Sequence, residues 1–170
     1  MKYLLLPIFL LSALFTTAQN PAPTPKPCST PEYRQMDFWI GDWNVYTPDG
    51  KLAGTNRIDQ ILGSCVLLEN WEGAGGSLGH SFNLYNVRTK QWEQTWVDNG
   101  GGVIYFQGKW DDAAGNLDFR SESTARDGKP VAYRMVFTPQ KDGSVHQVWD
   151  ASRDGGETWN NLFDGTYKRK

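Results

Sequence analysis

The chain has 170 residues, in which 17 Lys and Arg stand against 19 Asp and Glu, for a net charge of −2 at pH 7. This balance argues against nucleic acid and against an anionic membrane surface as partners, because both attract basic proteins. The two histidines and two cysteines form neither an HExxH motif nor paired CxxC motifs, so we expect no metal and no cofactor.

The first 18 residues have the pattern of a secretory signal peptide. The positive charge of Lys2 precedes an apolar run, residues 3–15, that is too short to cross a bilayer. Small residues follow up to Ala18, where we expect cleavage. The first cysteine is Cys28, so the cleavage site lacks the cysteine of a lipoprotein. We therefore predict an exported protein, periplasmic or extracellular, with no membrane anchor after cleavage.

Residues 19–31 are rich in proline and predict an extended tether. A Thr-Pro-Glu sequence at its end is typical of a helix start, and we expect one helical turn over residues 31–36. Because disulfides form in oxidising compartments, Cys28 and Cys65 are predicted to pair. The alternative is a free, buried Cys65 with Cys28 unpaired.

From residue 37 onward the chain reads as short strands separated by turns. The aromatic-rich stretch 37–46 predicts the first strand, with a kink at Gly41. Alternating polarity between turn residues predicts nine more strands. They are residues 55–62, 65–72, 79–87, 91–98, 103–110, 116–123, 131–138, 144–152 and 158–168. Consecutive antiparallel strands lose their open edges by closing. We predict one all-β domain over residues 32–170, an up-and-down antiparallel barrel of eight to ten strands.

Alternation along each strand predicts which side chains point into the barrel. We expect the strongly apolar sets inside, among them Phe82 and Leu84 on one strand and Phe119 on another. Large aromatics mixed with a few polar groups are typical of a small-molecule cavity and also of a filled aromatic core. The predicted ligand-binding residues are Glu69, Trp71, His80, Phe82, Gln94, Trp96, Phe119, Tyr133, Phe137 and Gln147.

A catalytic barrel, a hydrolase or isomerase using carboxylates or His80, is the contrasting hypothesis. Glu69 and Asp98 are the carboxylates expected on the inner face, and a buried carboxylate has a raised pKa that suits acid or base chemistry. Both lie near strand ends or glycine turns, so we favour solvation at the barrel rim. Residues 75–79 fit the G-x-S-x-G pattern, but a strand is predicted after them instead of the helix that a nucleophile elbow requires.

Residues 152–159 fit the pattern S-x-D-x-G-x-T-W, with Ser152, Asp154, Thr158 and Trp159 at defining positions. They resemble the Asp-box hairpin of sialidases and other secreted proteins, in which the motif is structural. The resemblance implies that Asp154 caps a tight turn and that Trp159 packs beneath it.

The run Gly41-Asp42-Trp43 resembles the G-x-W of the first strand of lipocalin-like, or calycin, barrels. This resemblance implies a calycin-like barrel in which a basic residue after the last strand, Arg169 or Lys168, packs over Trp43.

A longer pattern runs through Phe38-Trp39-Ile40-Gly41-Asp42-Trp43, Glu69-Asn70-Trp71, Ser81-Phe82-Asn83-Leu84-Tyr85, Trp92, Gln94, Trp96 and Asp154-Gly155-Gly156. It is similar to that of a family of exported bacterial proteins of unknown function.

His146 is the histidine that stands late in the chain. Nitrobindins are similar barrels that hold haem through a histidine in that part of the sequence, so this resemblance implies haem binding through His146 as an alternative.

We predict that the barrel binds a small, partly apolar ligand without catalysis. Three alternatives stay open at this point: an enzyme, a haem protein, and a filled barrel whose loops bind a partner protein.

Overall fold

The computed structural model describes residues 26–125 and 127–170, so the predicted signal peptide and most of the predicted tether lie outside the described residues. Ten antiparallel strands close into a barrel, in which each strand pairs with its sequence neighbours and the last pairs with the first. They are β1 Gly41–Tyr46, β2 Leu52–Ile61, β3 Val66–Gly73, β4 Leu78–Asn86, β5 Gln91–Asp98, β6 Val103–Asp111, β7 Asn116–Thr124, β8 Pro130–Pro139, β9 Val145–Ser152 and β10 Asn160–Arg169. The predicted all-β, up-and-down antiparallel barrel is confirmed.

Short 3-10 helices complete the secondary structure of the described residues. The predicted N-terminal turn is the 3-10 helix Pro31–Arg34, and two more cover Asp37–Trp39 and Leu62–Ser64. Within the described ranges, no helix is long and apolar enough to span a bilayer.

The first strand starts later than predicted. Asp37–Trp39 is helical, with the Trp39 and Ile40 amides donating to the Met36 and Asp37 carbonyls, and β1 begins at Gly41. Gly41 has φ +128°, a conformation that residues with a Cβ rarely adopt. After this helical turn, Trp39 is fully buried inside the barrel.

The end of the barrel that holds the N-terminal 3-10 helices is filled with large side chains. The Trp39 ring packs 4.7 Å from the Phe137 ring, and Trp43 Nε1 donates to the Trp39 carbonyl at 2.7 Å. Arg169 covers Trp43 from outside, with its guanidinium 4.3 Å from the ring. Arg169 therefore holds the position that the lipocalin resemblance implied for a basic residue.

A disulfide fastens the N-terminal segment to the barrel. Cys28 and Cys65 are bonded, as predicted, and next to Cys65 the Arg34 guanidinium donates to the Ser64 carbonyl at 2.6 Å. The segment before β1 is thus attached covalently at the corner between β2 and β3.

Strand β4 faces the opposite way from the prediction. Phe82 is about half exposed on the outer surface, whereas Ser81 and Asn83 are fully buried inside. The pairing explains this, because Ser81 lies beside Glu69 of β3 and Trp96 of β5, which both face inward. The inward prediction for Phe82 and Leu84 is wrong, since buried hydrogen bonds outweigh apolar character on this strand.

The loop between β9 and β10 has the conformation that the Asp-box resemblance implied. Asp154 accepts the Thr158 amide at 2.9 Å and hydrogen bonds from the hydroxyls of Thr158 and Ser152. Trp159 packs on the outer barrel wall, 4.9 Å from the Arg134 guanidinium.

Candidate ligand-binding site

A cavity of about 440 Å³ occupies the barrel end opposite the N-terminal 3-10 helices. Its floor, at the middle of the barrel, is polar, and its walls are aromatic. The aromatic walls are formed by Trp71, Trp96, Trp149 and Phe163. The barrel therefore has a filled half and a hollow half.

Glycines on the inner face make room for three of these aromatic rings. At each glycine, an added Cβ would overlap the ring beside it. The pairs are Gly54 with Trp71 (2.8 Å), Gly79 with Trp96 (2.2 Å) and Gly165 with Phe163 (2.5 Å). Since any side chain at these positions would displace the ring, the glycines determine where the walls stand.

Two hairpins at the cavity mouth are joined by Asn99. Its side chain accepts the Leu78 amide at 3.1 Å and donates to the Gly76 carbonyl at 3.1 Å, while its own amide donates to the Leu78 carbonyl. Asp98 caps the same turn by accepting the Gly100 and Gly102 amides. The rim is thereby held by hydrogen bonds between and within its loops.

The floor contains a chain of hydrogen bonds that runs toward Glu69. Gln94 Nε2 donates to Asn83 Oδ1 at 2.7 Å, and Asn83 Nδ2 donates to Ser81 Oγ at 2.8 Å. Ser81 Oγ then donates to one Glu69 carboxyl oxygen at 2.6 Å. Asn56 Nδ2 donates to the other at 2.7 Å. The chain from Gln94 and the bond from Asn56 therefore end at one carboxyl group.

A second set of bonds extends the floor to the opposite wall. Tyr167 Oη donates to Gln147 Oε1 at 2.5 Å, and Gln147 Nε2 donates to Met135 Sδ at 3.0 Å. Asn56 Nδ2 also lies 3.4 Å from Tyr167 Oη. The polar floor therefore crosses the barrel from β5 to β8.

Burial dominates the electrostatics of this floor. It raises the pKa of the Glu69 carboxyl, and the hydrogen bonds from Ser81 and Asn56 and the charge of His80 only partly oppose it. Burial likewise raises the pKa of Tyr167 well above its usual value. Among the described residues that line the cavity, none is Lys, Arg or His. The interpretation that Glu69 is solvated at the rim is wrong, because its side chain lies on the floor and is only 5% exposed.

Five of the ten predicted site residues lie at the cavity: Glu69, Trp71, Gln94, Trp96 and Gln147. Phe119 and Phe137 are also inside the barrel, but they are fully buried in the filled half. Tyr133 does not line the cavity, but its ring packs 5.7 Å from the ring of Trp149, which does.

His80 and Phe82 are on the outer surface, contrary to prediction. They alternate with Ser81, which faces inward to bind Glu69, so both must point outward. His80 Nδ1 lies 3.3 Å from the main-chain carbonyl of Glu69, not from its carboxyl group.

The three candidate catalytic side chains occupy three separate places. Glu69 is on the floor, Asp98 caps a rim turn and His80 is on the outer face. The structure does not bring them together as a catalytic group.

His146 is also on the outer face, where its Nε2 lies 2.8 Å from Asp164 Oδ1. A haem inside the barrel would find no histidine on the cavity lining among the described residues. The geometry therefore does not fit the haem alternative through His146 or His80.

Several important residues were missed by the sequence analysis. Phe163 and Tyr167 line the cavity, and both alternate with polar residues along β10, which was a usable signal. Asn56, Ser81 and Asn83 are buried polar residues. Ser81 and Asn83 alternate with Phe82 and Leu84, so periodicity placed them outside. Asn56 shares a face with Ile58 and alternates with Arg57 and Asp59, which was a usable signal.

A larger groove of about 1070 Å³ lies elsewhere, along the outer faces of β6 and β7. Its lining includes Tyr105, Lys109, Arg120 and Glu122, which are exposed side chains. It is a surface groove separate from the polar floor, so the smaller internal cavity is the candidate site.

Comparison with known proteins identifies a family. Residues 32–169 match the family described as "Protein of unknown function (DUF1579)". No curated protein matches the chain.

Proposed function

The chain belongs to the DUF1579 family of unknown function, and we propose that its barrel binds a small, partly apolar ligand without catalysis. The observation that carries this proposal is the cavity of about 440 Å³ with aromatic walls and a hydrogen-bonded polar floor. Ligand pockets typically measure about 300–1,000 Å³ and combine an apolar lining with a few fixed polar groups.

The preformed shape of the cavity supports ligand binding more than it supports a barrel filled by side chains. Hydrogen bonds of Asn99 hold the rim, and glycines beside the aromatic rings set the positions of the walls. The cavity is therefore formed without a ligand. A preformed pocket loses little conformational entropy when it is filled, which favours affinity. The filled-barrel alternative describes only the other half of the molecule.

The test is titration with N-phenyl-1-naphthylamine, a neutral apolar dye that fluoresces once it leaves water. We expect one dye molecule per chain. Gly79→Ala should weaken binding several-fold, because the added methyl group would stand 2.2 Å from the Trp96 ring and push it into the cavity.

Gly75→Ala is the matched control. Gly75 lies in the β3–β4 turn, and an added Cβ there would meet nothing within 4 Å. Dye affinity should therefore stay at the wild-type value. An unsaturable dye signal in the wild type, or equal affinities in the two variants, would contradict the proposal.

We also propose that residues 1–18 direct export and are removed, leaving a tether over 19–31 and one domain over 32–170. The bonded pair Cys28 and Cys65 supports this, because stable disulfides are usual in oxidising compartments. The intact mass of protein recovered from the periplasm or medium should correspond to a chain that starts at Gln19. A full-length mass would contradict the proposal.

A further inference from the structure

The floor of the cavity carries a buried carboxyl group and a buried acceptor. Glu69 has two carboxyl oxygens there. Asn56 Oδ1 is buried and has no hydrogen-bond partner within the described residues. The part of the lining that the structure describes contains no basic side chain.

The donors and acceptors around Glu69 indicate which protonation state of its carboxyl group these hydrogen bonds favour. Asn83 Nδ2 donates to the Leu67 carbonyl at 3.3 Å, which fixes the orientation of the side-chain amide. The same nitrogen therefore also faces Ser81 Oγ and donates to it. Because Ser81 Oγ accepts this bond, its own hydroxyl proton is donated to Glu69. Asn56 Nδ2 can only donate. Two donors aimed at the two carboxyl oxygens match an ionised carboxylate.

Burying a carboxylate is costly, and a positive group that binds beside it offsets part of that cost. An ionised carboxylate can accept about four hydrogen bonds, and the protein supplies two at Glu69. The aromatic walls above the floor suit both an apolar body and a cation, since aromatic faces attract positive charge.

We propose that the cavity selects small protonated amines with an apolar body, with the ammonium group bound to Glu69 and the body enclosed by Trp71, Trp96 and Phe163. This inference rests on the proposed ligand-binding function. It names the chemical class of the ligand, which that function leaves open.

The experiment compares phenethylamine with 2-phenylethanol, its neutral counterpart of nearly equal shape, by isothermal titration calorimetry at neutral pH. We expect the wild type to bind the amine about tenfold more tightly or better, the usual gain for a hydrogen bond between charged groups. In Glu69→Gln the amine should lose this advantage, while the affinity for the alcohol stays within about twofold.

Glu93→Gln is the matched control, because it makes the same substitution on the outer side of β5, where Glu93 accepts a hydrogen bond from Asn86. It should keep the wild-type preference for the amine. If it loses the preference as Glu69→Gln does, bulk charge and not the floor carboxylate selects the ligand, and the inference fails.

The remaining outcomes separate the inference from the function on which it rests. If the wild type binds the alcohol as tightly as the amine, or binds only N-phenyl-1-naphthylamine, the amine inference is overturned and the binding function stands. If none of the three compounds binds, both are overturned. The comparison of the amine with the alcohol in the wild-type protein tests the inference even if Glu69→Gln does not fold.

Discussion

Glu69 shows how one residue can be central to this molecule and yet be hidden in its sequence. It lies between Leu67 and Trp71 on one face of β3, and only the neighbouring strands bring Asn56 and Ser81 to its two oxygens. These bonds favour the charged form, while burial, the larger effect, raises the pKa of the group. The stability of the fold should therefore depend on pH through this residue.

The prediction compares the wild type with Glu69→Gln in urea unfolding across pH. A raised pKa in the folded state means that folding is favoured while Glu69 is protonated. This contribution is complete below the unfolded pKa of about 4.3. It is lost as the pH rises through the raised folded pKa. The difference in unfolding free energy, wild type minus variant, should fall with pH, by at most about 1.4 kcal/mol per pH unit.

Glu93→Gln serves again as the control for this measurement. Its unfolding free energy should run parallel to that of the wild type over the same pH range. A wild-type curve parallel to that of Glu69→Gln would show that the carboxyl is not desolvated as the structure indicates.

At the scale of elements, the β9–β10 hairpin depends on its Asp-box turn. The amide and hydroxyl of Thr158 and the hydroxyl of Ser152 all donate to Asp154. These bonds hold the pKa of Asp154 well below its usual value, with the Thr158 hydroxyl as the largest cause. The turn orients the start of β10, from which Phe163 reaches the cavity.

Asp154→Ala should therefore loosen this hairpin locally. We expect faster amide exchange at Thr158, whose amide loses its acceptor, and a lower melting temperature. Because the folded pKa of Asp154 is lowered, the wild type should keep this protection above about pH 4 and lose it only at stronger acidity. Exchange rates followed by NMR check the result.

Glu157→Ala removes an exposed carboxylate from the same turn and is the matched control. It should leave the Thr158 amide protected. Equal protection of Thr158 in both variants would show that the turn does not need the Asp154 cap.

At the scale of the whole molecule, the packed core and the proposed binding cavity lie in opposite halves of the barrel. The filled half contains Trp39 and Phe137 and is fastened by the disulfide. The hollow half contains the cavity. Because the core and the cavity lie at different ends, the barrel can hold an opening at one end without losing its core.

This division predicts the effect of removing both cysteines by Cys28→Ser together with Cys65→Ser. The bond joins residues 37 positions apart, so its loss should lower the unfolding free energy by about 2–4 kcal/mol, through the greater freedom of the unfolded chain. Urea unfolding measures this change. Dye affinity of the folded variant should stay at the wild-type value.

Reduced wild-type protein is the control for the double variant, and it should lose the same stability. If dye affinity falls along with stability, the two ends are coupled and the division is wrong.

Much of the fold followed from local patterns. The ten strands, the N-terminal helical turn and the disulfide were predicted close to their observed positions, since turns and alternation depend on residues near one another. The sequence also placed Glu69, Gln94 and Trp96 on inner faces, as observed. The start of β1 was misplaced, because the burial of Trp39 depends on Phe137, a residue from the far end of the chain.

The sequence by itself therefore determined the strands, their turns and their two alternating faces. Only the tertiary structure decided which face of β4 is inside. Alternation is symmetric between the faces, and hydrophobicity pointed to Phe82. The actual choice was made by the hydrogen bond that Ser81 donates to Glu69 and the one that Asn83 accepts from Gln94. Those partners come from β3 and β5. A buried polar group gains stability only when its partner is in place, and that partner is supplied by the closed barrel.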